Sequence, residues 1–254
     1  MTDFEIRAVK FRSKFNRAFP SSKTKFFCSA IICAGGSGTR MGGVAKQLLS
    51  LRGLPCILYS LLVFQASDEI SEIIVVGRKE EKDIIESLCH KHKITKLKAV
   101  VLGGDTRQAS VMNGFLQISP KSDIVAIHDA ARPLITPEQI SRLIQTAKRY
   151  GASCFAKKMT DTVKRADEKG MITDTIPRES LYTVQTPQVF KTDIYRVSTA
   201  LAQKSGAVVT DDCALVEMAG FPIKLVEFSE PNLKLTTPED VGIISGILKE
   251  RENG

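Results

Sequence analysis

The chain has 254 residues, is 43% hydrophobic and carries a formal net charge of +8, which supplies apolar material for one sizeable core and argues against a disordered polymer. The charge is uneven: residues 1–25 hold seven Lys/Arg against two acids, a net of +5 that leaves +3 for the remainder. A body so mildly basic, with no basic stripe interleaved with aromatics, argues against a nucleic-acid partner, and no uncharged apolar run reaches the ~18 residues of a membrane span.

Residues 1–25 read as a basic N-terminal extension ahead of a domain over 26–254. Phe11, Phe15 and Phe19 recur at helical spacing among Arg and Lys, a pattern shared by amphipathic interface helices and organelle-targeting segments. Asp3 and Glu5 speak against a transit peptide, and the expectation is a loosely docked tail. Lys23 and Lys25 before an apolar run imitate a signal peptide, but cleavage there would sever the first strand from the loop that follows it. The six cysteines, at 28, 33, 56, 89, 154 and 213, show no metal-ligand spacing and read as reduced core residues of a cytoplasmic protein. His90 and His92 lie two apart in a Lys-rich segment, share no helical face and read as exposed.

Phe26 to Ala34 is an apolar run of strand length that breaks into Gly35-Gly36-Ser37-Gly38. Backbone N–H groups free of Cβ atoms can converge on an anion, and Arg40 and Lys46 add two cations to the same loop. No Gly here is followed by Lys and then Ser or Thr, so the loop is not a P-loop; Ser50 to Gln65 has no carboxylate, so a dinucleotide fingerprint lacks its acid. The plainer alternative is a glycine turn joining strand to helix.

Further along, Cys56 to Ala66 reads as a helix, Ser71 to Gly77 as a strand, Lys79 to Lys91 as a charged helix and Lys98 to Leu102 as a strand. Asp105 to Ile118 (helix), Asp123 to His128 (strand) and Pro137 to Tyr150 (helix) continue the alternation. Such alternation implies an α/β fold with a mostly parallel sheet covered by helices on both faces, in which ligands bind beyond the carboxyl ends of the strands. That rule selects Gly103-Gly104-Asp105-Thr106-Arg107-Gln108-Ala109-Ser110, where the plainer reading is helix capping by Asp105. It also selects His128-Asp129-Ala130-Ala131-Arg132-Pro133, where the plainer reading is a turn closed by an Asp129–Arg132 pair.

From Ala152 the pattern changes. Ser153 to Met159 is a strand; Asp161 to Arg165, a polar turn over 166–170 and Met171 to Pro177 make a β-hairpin arm within about residues 155–184. An arm with little core of its own is expected to dock on a second subunit. Gln185-Thr186-Pro187-Gln188 returns the chain to the sheet, Lys191 to Lys204 is helical, Thr210-Asp211-Asp212 caps a short helix to Met218, Ile223 to Phe228 is a strand, and Pro238 opens the terminal helix.

Seven of these motifs stand in one order: the glycine loop with Arg40 and Lys46-Gln47, Gly-Gly-Asp-x-Arg-x-x-Ser, His-Asp-Ala-Ala-Arg-Pro, Asp-Thr-Val-Lys-Arg, Gln-Thr-Pro-Gln, Thr-Asp-Asp, and Asn-x-Lys-x-Thr-x-Pro-Glu-Asp. In that order they resemble the 2-C-methyl-D-erythritol 4-phosphate cytidylyltransferase family of the non-mevalonate isoprenoid pathway, over about residues 27–250. The resemblance implies a Rossmann-like nucleotide-diphosphosugar transferase fold, CTP and a sugar-alcohol phosphate as substrates, Mg²⁺ as cofactor, and a homodimer formed through the arm.

On the same resemblance, Arg40 and Lys46 match a pair that stabilises the pentacoordinate transition state, while Arg178 and Lys234 hold the attacking phosphate in line. Ala34, Gly35, Gly36, Gly104, Asp105 and Ser110 match positions around the nucleotide. Asp129 matches a residue near the metal and the second substrate, which Arg132, Thr162, Thr186 and Thr210 also surround, with Thr162 and Arg178 reaching across the dimer. The family usually has Pro directly before the loop lysine, where this chain has Ala45. The chemistry agrees with the allocation: a phosphate monoester with a second pKa near ~6 is already largely dianionic, so no general base is needed, and positioning and charge stabilisation dominate. A ribitol 5-phosphate cytidylyltransferase is the neighbouring alternative, and a non-catalytic nucleotide-binding protein is the alternative of another class.

Overall fold

The computed structural model describes residues 26–35 and 45–253. The N-terminal extension lies outside the described residues, as do Gly36 and Arg40 of the glycine loop.

A seven-stranded sheet forms the centre. Strand β1 (Cys28–Cys33) is followed by a small ribbon of β2 (Ser50–Leu51) and β3 (Leu54–Pro55), then by β4 (Glu72–Gly77), β5 (Leu97–Leu102) and β6 (Ile124–Asp129). With β7 (Ala152–Lys158), β10 (Tyr182–Lys191) and β11 (Lys224–Glu227), the spatial order is β11-β7-β10-β6-β1-β4-β5. The pairs β1–β4, β1–β6, β4–β5 and β7–β11 are parallel, as expected. Strand β10 runs antiparallel to both β6 and β7. It contains Pro187, which cannot donate to a ladder, and the register shifts between Gln185 and Gln188 to accommodate it.

Alternation along each strand sends successive side chains to opposite faces. In β1, Ala30 and Ile32 enter one core and Ile31 the other. The first core is covered by α1 (Cys56–Ala66), α2 (Lys82–Lys91), α4 (Pro137–Tyr150) and α7 (Pro238–Asn253); the second by α3 (Arg107–Phe115), α5 (Thr192–Ser205) and α6 (Asp212–Met218). Nine of the eleven residues of α1 are buried, which is why its sequence is apolar all round. Helix α4 starts where local chemistry tells it to: Thr136 Oγ1 accepts from Gln139 N, Gln139 Oε1 accepts from Thr136 N, and Pro137 occupies the first turn.

The arm is the ribbon of β8 (Val163–Ala166) and β9 (Ile172–Ile176). Asp167 Oδ1 closes its turn by accepting from Lys169 N and Met171 N, at 3.0 and 2.9 Å. Neither strand has a buried residue, and Met171 and Ile172 are each 66% exposed. Among the described residues no helix is long and apolar enough to cross a membrane.

Two local expectations are corrected. His92 is buried, because α2 ends at Lys91 and the chain turns inward there with His92 N bonded to Leu88 O. The cap of α3 is Thr106, whose hydroxyl accepts from Ala109 N at 3.0 Å, and Asp105 stays exposed one residue earlier.

Candidate active site

The carboxyl ends of β1, β4, β5 and β6 meet along one edge of the sheet. Ala34 N, just past β1, donates to Val76 O at 2.7 Å, and Gly103 N, just past β5, donates to Gly77 O at 2.9 Å. Ala34 is buried and Gly35 is exposed. Beyond Gly103 the chain bends tightly into α3. Ser110 Oγ accepts from Gly104 N at 3.0 Å and donates to Thr106 O at 2.8 Å. A Cβ on Gly104 would lie 2.6 Å from Ala109 Cβ, so only glycine lets the loop fold onto the first turn of the helix.

Asp129 ends β6 and is the electrostatic centre of this edge. Its Oδ2 accepts from Lys234 Nζ at 2.7 Å and faces Arg132 Nε at 3.7 Å, while Oδ1 faces Arg107 Nη2 at 3.7 Å. Burial opposes the charge on Asp129, but Lys234 and Arg107 outweigh it and bring its pKa down to about 2. Arg107 is also bonded to Asp212 Oδ2 at 2.7 Å, and Asp212 accepts from Tyr195 Oη at 2.7 Å. Burial works against the Arg107 charge too, and the two carboxylates raise its pKa regardless.

A buried relay sits behind Asp129. Asp129 N donates to Thr186 Oγ1 at 2.9 Å, which leaves the hydroxyl proton free for His128 Nδ1 at 3.3 Å. On that network His128 is the tautomer with its proton on Nε2, which donates to Arg132 O at 3.2 Å. Burial pushes the His128 pKa down to about 4, so the ring is neutral at ordinary pH. Arg132 N donates to Asp129 O at 3.0 Å. The turn of the His-Asp-Ala-Ala-Arg motif is therefore closed both by this backbone bond and by the Asp129–Arg132 ion pair.

Residues 232–236 bind these parts together. Asn232 Nδ2 donates to Thr186 O at 2.9 Å, Asn232 O accepts from Arg132 Nη1 at 2.9 Å, and Leu235 N donates to Ala131 O at 2.8 Å. Lys46 Nζ reaches Thr236 O at 3.2 Å. The site thus gathers Lys46, Asp129, Arg132, Thr186 and Lys234, with Ala34, Gly35, Gly104 and Ser110 along the same sheet edge. Thr210 is exposed just ahead of α6. Its neighbours are fixed by Gln188, whose Nε2 donates to Asp211 Oδ2 at 2.7 Å and whose Oε1 accepts from Asp212 N and Cys213 N at 3.1 Å each.

Thr162 and Arg178 lie on the exposed arm, where Arg178 donates to Thr160 O within its own chain; among the described residues no hydrogen bond or ion pair joins either residue to Asp129 or Lys234. Sequence reasoning gave no role in the site to Arg107, Gln188 or Asn232, and read Asp212 only as part of a helix cap, which Asp211 supplies by accepting from Ala214 N. The signal for Arg107 was available, as a cation inside a strand-end glycine motif.

Comparison with known proteins places the sequence and the fold in one family. The profile of the family described as 2-C-methyl-D-erythritol 4-phosphate cytidylyltransferase (IspD) matches residues 28–250. The chain is 40% identical over 226 residues to the enzyme of that name from Pelotomaculum thermopropionicum, covering 88% of this chain and 95% of that one. It is 42% identical over 222 residues to that of Clostridium novyi, covering 87% and 96%. Among solved structures, the 4-diphosphocytidyl-2C-methyl-D-erythritol synthase of Anaerococcus prevotii superposes with a TM-score of 0.78 at 31% identity, covering 88% of this chain and 99% of that one. The cytidylyltransferase of Thermus thermophilus gives 0.72 at 29%, covering 87% and 98%. The sequence over residues 28–250 and the sheet it builds are those of one group of nucleotidyltransferases: the chain belongs to the 2-C-methyl-D-erythritol 4-phosphate cytidylyltransferase family.

Proposed function

We propose that the chain transfers the cytidylyl group of CTP to 2-C-methyl-D-erythritol 4-phosphate, giving 4-diphosphocytidyl-2-C-methyl-D-erythritol and pyrophosphate. A phosphate oxygen of the alcohol phosphate forms a bond to the α-phosphorus as the bond to the β-phosphate oxygen breaks and pyrophosphate departs. The observation that carries the reading is the convergence of two ammonium groups on one edge of the sheet: Lys46 on Thr236 O and Lys234 on Asp129.

In this reading Lys46, with Arg40 of the loop outside the described residues, neutralises charge that grows on the α-phosphate and the departing pyrophosphate. Lys234 is oriented by Asp129 yet has a 43% exposed side chain, which suits it to meet the attacking phosphate. Ala34, Gly35, Gly104, Asp105 and Ser110 line the nucleotide, a role also assigned to Gly36, which lies outside the described residues; Asp129, Arg132, Thr186 and Thr210 line the second substrate. No group here need take a proton, because the nucleophile is already an anion.

The donor set suits Mg²⁺ carried by the triphosphate. Among the described residues no three potential ligands cluster, and Asp129 offers one carboxylate, an arrangement in which phosphates supply most of the coordination. When bound, the ion would neutralise phosphate charge. The exposed Met171 and Ile172 support a second copy of the chain as partner of the arm, with Thr162 and Arg178 of the partner subunit completing the second-substrate side.

Replacing Lys46 with Ala tests the assignment. Turnover should fall by roughly two to four orders of magnitude while CTP affinity changes only a few-fold; an affinity change with turnover intact would assign Lys46 to binding alone.

A further inference from the structure

Lys46 and Gln47 are neighbours in sequence and part company in the structure. Both belong to the single 3-10 turn Lys46–Leu48 on which the glycine loop ends, closed by Leu48 N on Ala45 O at 2.9 Å. Lys46 extends to Thr236 O. Gln47 turns inward, is 4% exposed, and donates from Nε2 to Glu81 Oε2 at 2.5 Å. Glu81 is 5% exposed and closes the 3-10 turn Lys79–Glu81 that leads from β4 into α2. Among the described residues the Gln47 amide is the only side chain bonded to this carboxylate.

Burying a carboxylate for one amide partner is costly, and an apolar pair of the same size would fill the space at less expense in free energy. What the pair supplies is direction: a buried hydrogen bond with no water to replace it tolerates little displacement of either end. The other end of the glycine segment is fixed to the same piece of chain, by Ala34 N on Val76 O at 2.7 Å. Both attachments thus fall within residues 76–81, and the one at Glu81 is adjacent to Lys46.

We propose that Glu81 is a positioning residue: through Gln47 it fixes the turn that carries Lys46, and so sets where the Lys46 ammonium stands against the reacting phosphates. The inference rests on the reading of Lys46 as the cation that serves the transition state. An error of about 1 Å in such a group costs on the order of 10²-fold in rate, whereas ground-state binding of CTP, spread over many contacts, is far less sensitive.

The test compares Lys46→Ala, Gln47→Ala, Glu81→Ala, Glu81→Gln and the Gln47→Ala/Glu81→Ala double variant of the full chain by steady-state kinetics with CTP and methylerythritol phosphate, and by calorimetric CTP binding. Glu81→Ala should lower kcat by at least ~10-fold with the CTP Kd within ~3-fold; Glu81→Gln, whose amide oxygen still accepts from Gln47, should stay within ~3-fold of wild type. The double variant should be no worse than the weaker single variant by more than ~2-fold, since both singles break one link. If Glu81→Ala does not fold, Gln47→Ala carries the same kcat expectation. Unchanged kcat in Glu81→Ala or Gln47→Ala, or losses that multiply in the double variant, would overturn the role of Glu81 while leaving Lys46 catalytic. Intact turnover in Lys46→Ala would overturn both.

Discussion

Lys234 Nζ lies 2.7 Å from Asp129 Oδ2, across 105 residues of sequence. The contact places a cation at the carboxyl end of β6 and, with Arg107, keeps Asp129 ionised against its burial. Replacing Lys234 with Met keeps the stem and removes the charge. kcat/KM for the alcohol phosphate should fall by about 10²-fold with CTP affinity within ~3-fold, measured by steady-state kinetics and calorimetry. Equal losses for both substrates would move Lys234 to the nucleotide side.

His128 predicts an acid limit to stability. Its pKa is depressed by burial from an ordinary 6.5 to about 4. Between those values the unfolded chain binds a proton that the folded chain refuses. The contribution is therefore complete above pH 6.5 and is lost as pH falls toward 4, by about 2 kcal/mol at pH 5 and about 3 kcal/mol at pH 4. Denaturant unfolding at pH 7.5 and pH 5 should show a smaller pH-dependent loss in His128→Asn than in wild type. Equal losses would show that the ring does not resist protonation.

Two glycines separate packing from ligand approach. A Cβ on Gly104 meets Ala109 Cβ at 2.6 Å, so Gly104→Ala should cost about 1–3 kcal/mol in stability as well as CTP affinity. A Cβ on Gly35 meets nothing within 4 Å. Gly35→Ala should leave Tm unchanged and weaken CTP binding by about 10-fold if the nucleotide approaches that backbone. Thermal melts and calorimetry on the two variants decide it.

The arm predicts a dimer. Ile172→Asp alters a side chain that is 66% exposed in the single chain, so the folded monomer should keep its Tm to within a few degrees. Sedimentation should show dimer for wild type and monomer for the variant, with turnover lost alongside. A variant that remains dimeric would place the subunit contact elsewhere.

The fold was legible where local chemistry decides it. Thr136, Pro137 and Gln139 write the start of α4 into four residues, and its limits were read to the residue. The alternation from β1 to α4 gave the parallel half of the sheet. Strand β10 was less visible, since Pro187 argues against a strand and only the bulge beside it reconciles the two. His92 and the Thr106 cap were missed by one or two positions of chain direction that periodicity does not resolve. Within the site, short motifs marked Asp129, Lys46 and Lys234, but the Arg107–Asp212 pair and the Asn232 clamp join residues 105 and 46 positions apart or more. Glu81 looked like one more acid on a charged helix, because nothing in its neighbourhood announces a partner 34 residues earlier.

The most direct test is pyrophosphate release by the purified protein with CTP and Mg²⁺, comparing 2-C-methyl-D-erythritol 4-phosphate with ribitol 5-phosphate. Release that depends on the methylerythritol phosphate, and is lost in Lys46→Ala, is the predicted result. Release with ribitol 5-phosphate alone, or with neither from a folded protein that binds CTP, would contradict the account.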